Sequence, residues 1–152
     1  MNFGRFLPRL AFWRRSQEPA APALDDPSLV IVVRAFDDTE AASAVLARSE
    51  RWTAERPAVL RHHLRLPQES VDQAGELLEQ DGWRLRHAPA ADESASDGDA
   101  TAGTVALFAE RAQKLDALHC SQESSRMASL AQRLRGRALG WEALQLAEHD
   151  GS

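Results

Sequence analysis

Apolar and polar positions along this chain switch between a two-residue and a 3.6-residue period, and each switch predicts an element. Leu29–Val33 is an unbroken aliphatic run that reaches towards Phe36, which predicts a strand, and its lack of alternation implies cover on both faces. Asp37 and Asp38 lead into a helix from about Thr39, whose inner face carries Ala42, Val45, Leu46, Ser49 and Trp52. After Pro57 the period returns to two. In Val59–Leu66, the residues Leu60, His62, Leu64 and Leu66 share one side of a strand, and Arg61, His63 and Arg65 the other. Pro67 opens a helix over Gln68–Asp81, with Val71, Ala74, Gly75 and Leu78 spaced for one buried stripe. Gly82 suits the left-handed residue just past its end. Trp83, Leu85 and His87 then alternate with Arg84 and Arg86 in a short strand.

The second half repeats this design. Val105–Leu118 reads as a long strand whose alternation breaks around Arg111–Lys114, which predicts a bulge or two shorter pieces. Ser121 caps a helix near Gln122–Arg135 with Met127, Leu130, Ala131 and Leu134 inward, and Gly136 stops it. Residues 137–146 form the last strand, with Leu139, Trp141 and Ala143 on one face and Leu144 and Leu146 on the other. From Val59 onward the order is β-α-β-β-α-β, the split arrangement of a ferredoxin-like α+β sandwich, preceded by an extra strand and helix. Right-handed crossovers place both helices on one side of an antiparallel sheet. The strand at 59–66 is then central, between those at 105–118 and 137–146, and the strand at 29–36 must join at an edge.

Charge divides the chain. Residues 1–17 hold Arg5, Arg9, Arg14 and Arg15 and no acid, so at a formal net charge of −5 the remainder stands at −9. An acidic body is a poor nucleic-acid surface, since duplex affinity rests on neutralising phosphates, and direct nucleic-acid binding is not expected. Phe3, Phe6, Leu7 and Leu10 fall at helical spacing opposite Arg5 and Arg9, the pattern of a cationic interfacial helix, but Pro8 interrupts it. The run is too broken for a signal peptide or a membrane span, and the plainer reading of residues 1–28 is a basic flexible tail followed by a Pro/Ala linker. Residues 29–146 then make a single domain, with a short tail at 147–152. Residues 89–103, with Asp92, Glu93, Asp97 and Asp99 and no bulky apolar group, read as a solvated loop. A single cysteine, Cys120, cannot close an internal disulfide, which fits a cytoplasmic setting.

Few residues invite chemistry. His62 and His63 are adjacent on a strand and face opposite sides, so they cannot share one ion, and zinc needs three or four convergent ligands. His119-Cys120 invites a thiolate–imidazolium pair, and a cysteine near a helix start could have a lowered pKa, although a buried structural cysteine is the commoner case. Ser121, Ser124 and Ser125 read as capping and exposed helix positions. The glycines fit no phosphate-cradling loop, and the acidic loop lacks calcium-loop spacing. No enzyme activity, cofactor or metal is expected.

Taken in succession, these pieces resemble the family of the regulator of ribonuclease activity B, a group of small acidic bacterial protein inhibitors. The likeness spans about residues 58–146. It consists of a strand with His62-His63-Leu64, a helix ending at Gly82 plus an aromatic, and Asp97-Gly98-Asp99 before a hydrophobic strand. A helix with Met127 and Leu130-Ala131 follows, then the Gly140-Trp141 strand. Where the family has an aromatic-Asp-Gly-Trp sequence, this chain has Ala138-Leu139-Gly140-Trp141. The resemblance implies a ferredoxin-like fold and a non-enzymatic regulator that binds a ribonuclease E-type nuclease, altering RNA decay without touching RNA. An acidic body would speed its encounter with arginine-rich nuclease arms. Two surfaces are expected to meet the partner: the outward strand residues Arg61, His63 and Arg65, on a sheet face left uncovered, and the acidic loop at Asp92 and Glu93. The alternative is a dimeric ferredoxin-like scaffold or a small-molecule-sensing domain.

Overall fold

A computed structural model describes residues 20–89 and 103–147. The chain is α+β: β1 (Leu29–Ala35), α1 (Ala42–Arg48), β2 (Ala58–Pro67), a 3₁₀ turn (Gln68–Ser70) running into α2 (Val71–Glu79), β3 (Arg84–His87), β4 (Thr104–Gln113), α3 (Ala117–Arg133) and β5 (Arg137–Leu146). One open antiparallel sheet has the order β1-β5-β2-β4-β3. As expected, β2 is central between β4 and β5, and the extra strand joins at an edge, outside β5.

The three helices cover one side of this sheet. Leu60, Leu64 and Leu66 of β2, Leu107 and Ala109 of β4, and Trp141 and Ala143 of β5 bury there against Val45 and Leu46 of α1, Ala74 and Leu78 of α2, and Met127, Leu130 and Ala131 of α3. Each fully buried leucine contributes roughly 1.5–3 kcal/mol relative to an exposed one. The inward stripe expected on α3 is the observed one. Gly82, at φ 82°, takes the left-handed position after α2, with its N–H donating to Glu79 O and that of Trp83 to Leu78 O, both at 3.0 Å.

Several boundaries differ from the sequence reading. β4 ends at Gln113, so the lost alternation at Arg111–Lys114 marks the end of a strand rather than a bulge within one. α3 starts five residues before Gln122: Asp116, not Ser121, is its cap, accepting the His119 N–H at 2.7 Å. Leu115 and Ala117 pack on the helix-side cluster, which kept the segment looking strand-like. Asp37 organises a turn ahead of α1 by accepting from the N–H and hydroxyl of Thr39, and α1 itself begins only at Ala42. β1 is half-buried over Leu29–Val32 rather than covered on both faces, because it is an edge strand. Bulges lie instead in β5, where His63 pairs with Gly140 and Leu64 with Ala138, leaving Leu139 as the extra residue, and in β1, where Val32 is extra between Ile31 and Val33.

Candidate functional site

Residues paired directly across antiparallel strands share a face, and the register therefore lists the side of the sheet turned away from the helices. Arg61 stands between Glu110 and Glu142, and His63 between Phe108 and Gly140. Arg84 and Arg86 stand beside Glu110 and Phe108, and Arg34 beside Glu142. A second buried layer results, with Val59, Ala106, Phe108 and Leu144 as its apolar members, none of them in the helix-side cluster.

Two glutamates organise it. Glu110, fully buried, accepts from Arg61 Nε at 2.8 Å, Arg84 Nη2 at 2.7 Å and Arg86 Nε at 2.7 Å. Glu142, also buried, lies 2.9 Å from His63 Nε2 and 3.2 Å from Arg61 Nη1, with Arg34 Nε at 3.9 Å. Burial alone would push both carboxyls up. The hydrogen bonds from Arg86, Arg84 and Arg61 on Glu110, and from His63 on Glu142 with the Arg61 charge nearby, outweigh it and hold both below the ordinary carboxylate value. Phe108 is the hydrophobic floor. Arg61 and Arg86 stack on its ring at 4.7 and 4.9 Å, His63 lies 4.6 Å away, and Phe36 meets His63 edge-on at 4.9 Å.

The sheet face is basic in an acidic chain. Arg34, Arg61, Arg65, Arg84 and Arg86 outnumber Glu110, Glu142 and Asp25, the last of which pairs with Arg84. Of the expected contact residues, Arg61, His63 and Arg65 do point away from the helices, but the face is not open. The side chains of Arg61 and His63 are 13% and 16% exposed, and Arg65 is buried. They hold the lattice together. The accessible members are Arg34, with 65% of its side chain exposed, Phe36 at 43%, and Arg84 and Arg86 at about a third. Sequence reasoning left out Arg34, Phe36, Arg84, Arg86, Phe108, Glu110 and Glu142. The alternating Arg84-Leu85-Arg86 was a usable signal, whereas the partners of both glutamates lie on other strands, out of reach of sequence spacing. Asp92 and Glu93 lie outside the described residues, as do the basic stretch at 1–17 and Asp97 and Asp99.

The other candidates do not assemble. His62 is buried on the helix side, edge-on to Trp83 at 5.3 Å, and burial lowers its pKa to about 3, so it is neutral. Cys120 is buried in α3, and burial raises its thiol to about 11, opposite to the lowering that a helix start invites. His119 is exposed and pairs with its own cap, Asp116. Among the described residues no three His, Cys, Asp or Glu side chains could hold a metal ion, and no helix is long and apolar enough to cross a membrane. Pockets of about 200, 180 and 340 Å³ flank the helices and β1. Only the last of the three reaches the roughly 300 Å³ at which small-molecule sites begin. Its Gln145 is already spent on Thr53 and Arg56.

No protein-family model matches the chain, and no similar curated protein or solved structure was found.

Proposed function

We propose that this chain is a non-enzymatic regulator that acts by binding another protein, with residues 58–146 as a ferredoxin-like unit and the sheet face as its recognition surface. The strand order β5-β2-β4-β3, with helices on one side, supports that fold. The observation that carries the function is the surplus of arginine over carboxylate on a face backed by Phe36 and Phe108. Arginine and aromatic side chains are the groups that anchor protein interfaces, and the two glutamates hold the guanidinium groups in fixed positions.

The resemblance names the first partner to try, a ribonuclease E-type nuclease. The local charge alters how such a partner would dock, because the sheet face selects an acidic segment rather than an arginine-rich arm. An arginine-rich arm would instead meet the exposed acids of the 3₁₀ turn and α2, Glu69, Asp72, Glu76 and Glu79, which follow helical spacing.

Affinity capture from the native cell at moderate salt tests the reading. The full chain should retain a protein partner, the double variant Arg34→Glu/Phe36→Ala should lose it, and a Glu69/Asp72/Glu76/Glu79→Gln variant should not. Loss only in the second variant would move the interface to α2, and loss in neither would remove both surfaces. Direct inhibition of a purified ribonuclease E-type enzyme then decides the partner. The alternative, a dimer formed through the sheet face, is less favoured because the apolar residues of that face, Val59, Phe108 and Leu144, are already buried within the single chain.

A further inference from the structure

The chain leading into β1 crosses the sheet face. Leu29 opens β1 at one edge of the sheet, yet Asp25, only four residues earlier, grips Arg84 of β3 at the opposite edge. Both guanidinium Nη atoms donate, Nη1 to Oδ2 at 3.0 Å and Nη2 to Oδ1 at 2.9 Å. Five strands spaced about 4.8 Å apart set those edges roughly 19 Å from each other, so this segment must lie over the strands between. Pro22 is buried, and the segment is shaped by Asp26 N–H on Ala23 O, Ser28 N–H on Asp26 Oδ1 and Leu29 N–H on Asp26 O.

Its ion-pair anchor on β3 is light. The Asp25 side chain is 78% exposed, and such pairs are weak and screened by salt. Arg84 also keeps unused capacity, since its Nε–H is buried without an acceptor among the described residues.

We propose that residues 20–28 are a displaceable strap that occupies its own binding face, and that the partner is an extended acidic peptide segment whose carboxylate replaces Asp25 on Arg84. The inference rests on the sheet-face reading above. The class of partner follows from what the strap offers: an extended, proline-containing stretch, Ala-Ala-Pro-Ala-Leu-Asp-Asp-Pro-Ser, that answers the arginine surplus with a bidentate carboxylate. A tethered strap competes at an effective concentration in the millimolar range, so any partner binds the closed form more weakly than the open one.

The test uses the full chain and a fluorescent peptide copying residues 20–28. Asp25→Ala alters only an exposed side chain, so the fold should persist. Hydrogen exchange at the Asp26, Ser28 and Leu29 amides should rise about two- to fivefold, the loosening that loss of one exposed ion pair allows. The variant should bind the peptide tighter than the parent by a similar factor, with affinity falling as salt is raised, and Asp25→Ala/Arg84→Ala should lose that gain. Unchanged exchange would make the segment a fixed part of the fold and sink the strap, while leaving the sheet-face reading to its exposed Arg34–Phe36 edge. Faster exchange without peptide binding would sink both. A strap-exchanged dimer, seen by light scattering, would replace the acidic partner with a second copy of the chain.

Discussion

At the end of α3 two neighbouring residues divide the work that one glycine usually does. Arg135, not Gly136, adopts the left-handed conformation, at φ 66°. Its N–H donates to Gln132 O and that of Gly136 to Ala131 O at 2.7 Å, closing the helix. Gly136 is required by space: a Cβ there would sit 2.1 Å from Arg65 O on β2. The sequence showed a glycine in the right place and could not show which of its two properties was in use, because the obstructing carbonyl is distant in the chain. Opposite outcomes follow. Gly136→Ala should destabilise by about 2–4 kcal/mol, since backbone on both sides must move. Arg135→Gly should stabilise by about 0.5–1 kcal/mol, because relief of left-handed strain exceeds the extra entropy lost by glycine. Urea midpoints followed by tryptophan fluorescence measure both. A neutral Gly136→Ala would mean that β2 and the α3–β5 turn are not in contact.

At the scale of elements, those with clean periodicity were legible. The alternation Leu60, His62, Leu64, Leu66 set the faces of β2, and the Met127–Leu134 stripe set the inner side of α3. The start of α3 was hidden, because Leu115 and Ala117 are packed against the core as strand residues would be, and only the Asp116 carboxylate distinguishes a cap from a strand end. Asp116→Ala should therefore destabilise by about 1 kcal/mol, whereas Ser121→Ala should stay within a few tenths. The corrected start also decides the fate of Cys120, which falls in the first turn, fully buried and with its thiol raised to about 11. In the native chain it should resist a thiol reagent at pH 8 and react only at the rate of opening. Fast native labelling would refute the buried placement and revive a reactive-cysteine reading.

At the scale of the whole molecule the sheet separates two kinds of interior, and each leaves its own mark on acid stability. On the helix side the displaced group that bears on acid stability is His62, with a pKa of about 3 against an ordinary 6.5. The unfolded chain takes up that proton first, so stability falls as pH drops from about 6.5 towards 3, by up to about 1.4 kcal/mol per unit. The sheet side holds Glu110 and Glu142, both below the ordinary 4.5 because their arginine and histidine partners outweigh burial. Their contribution is fully present above 4.5 and is lost only as pH falls through their lower folded values. The burial of His62 was legible in the alternation of β2, but the sheet-side network was not: the glutamates become buried partners only when four strands align, and the Asp25 that meets Arg84 comes from outside the repeated unit. The two interiors can be separated by substitution. His62→Leu should flatten the stability profile between pH 6.5 and 4.5 and leave the fall below 4.5. Glu110→Gln should cost about 2–4 kcal/mol at neutral pH, moderated by the solvent that Arg84 and Arg86 can still reach, and should flatten the lower limb. If His62→Leu left the upper limb unchanged, the imidazole would have to be solvated, and the β2 faces would need to be exchanged.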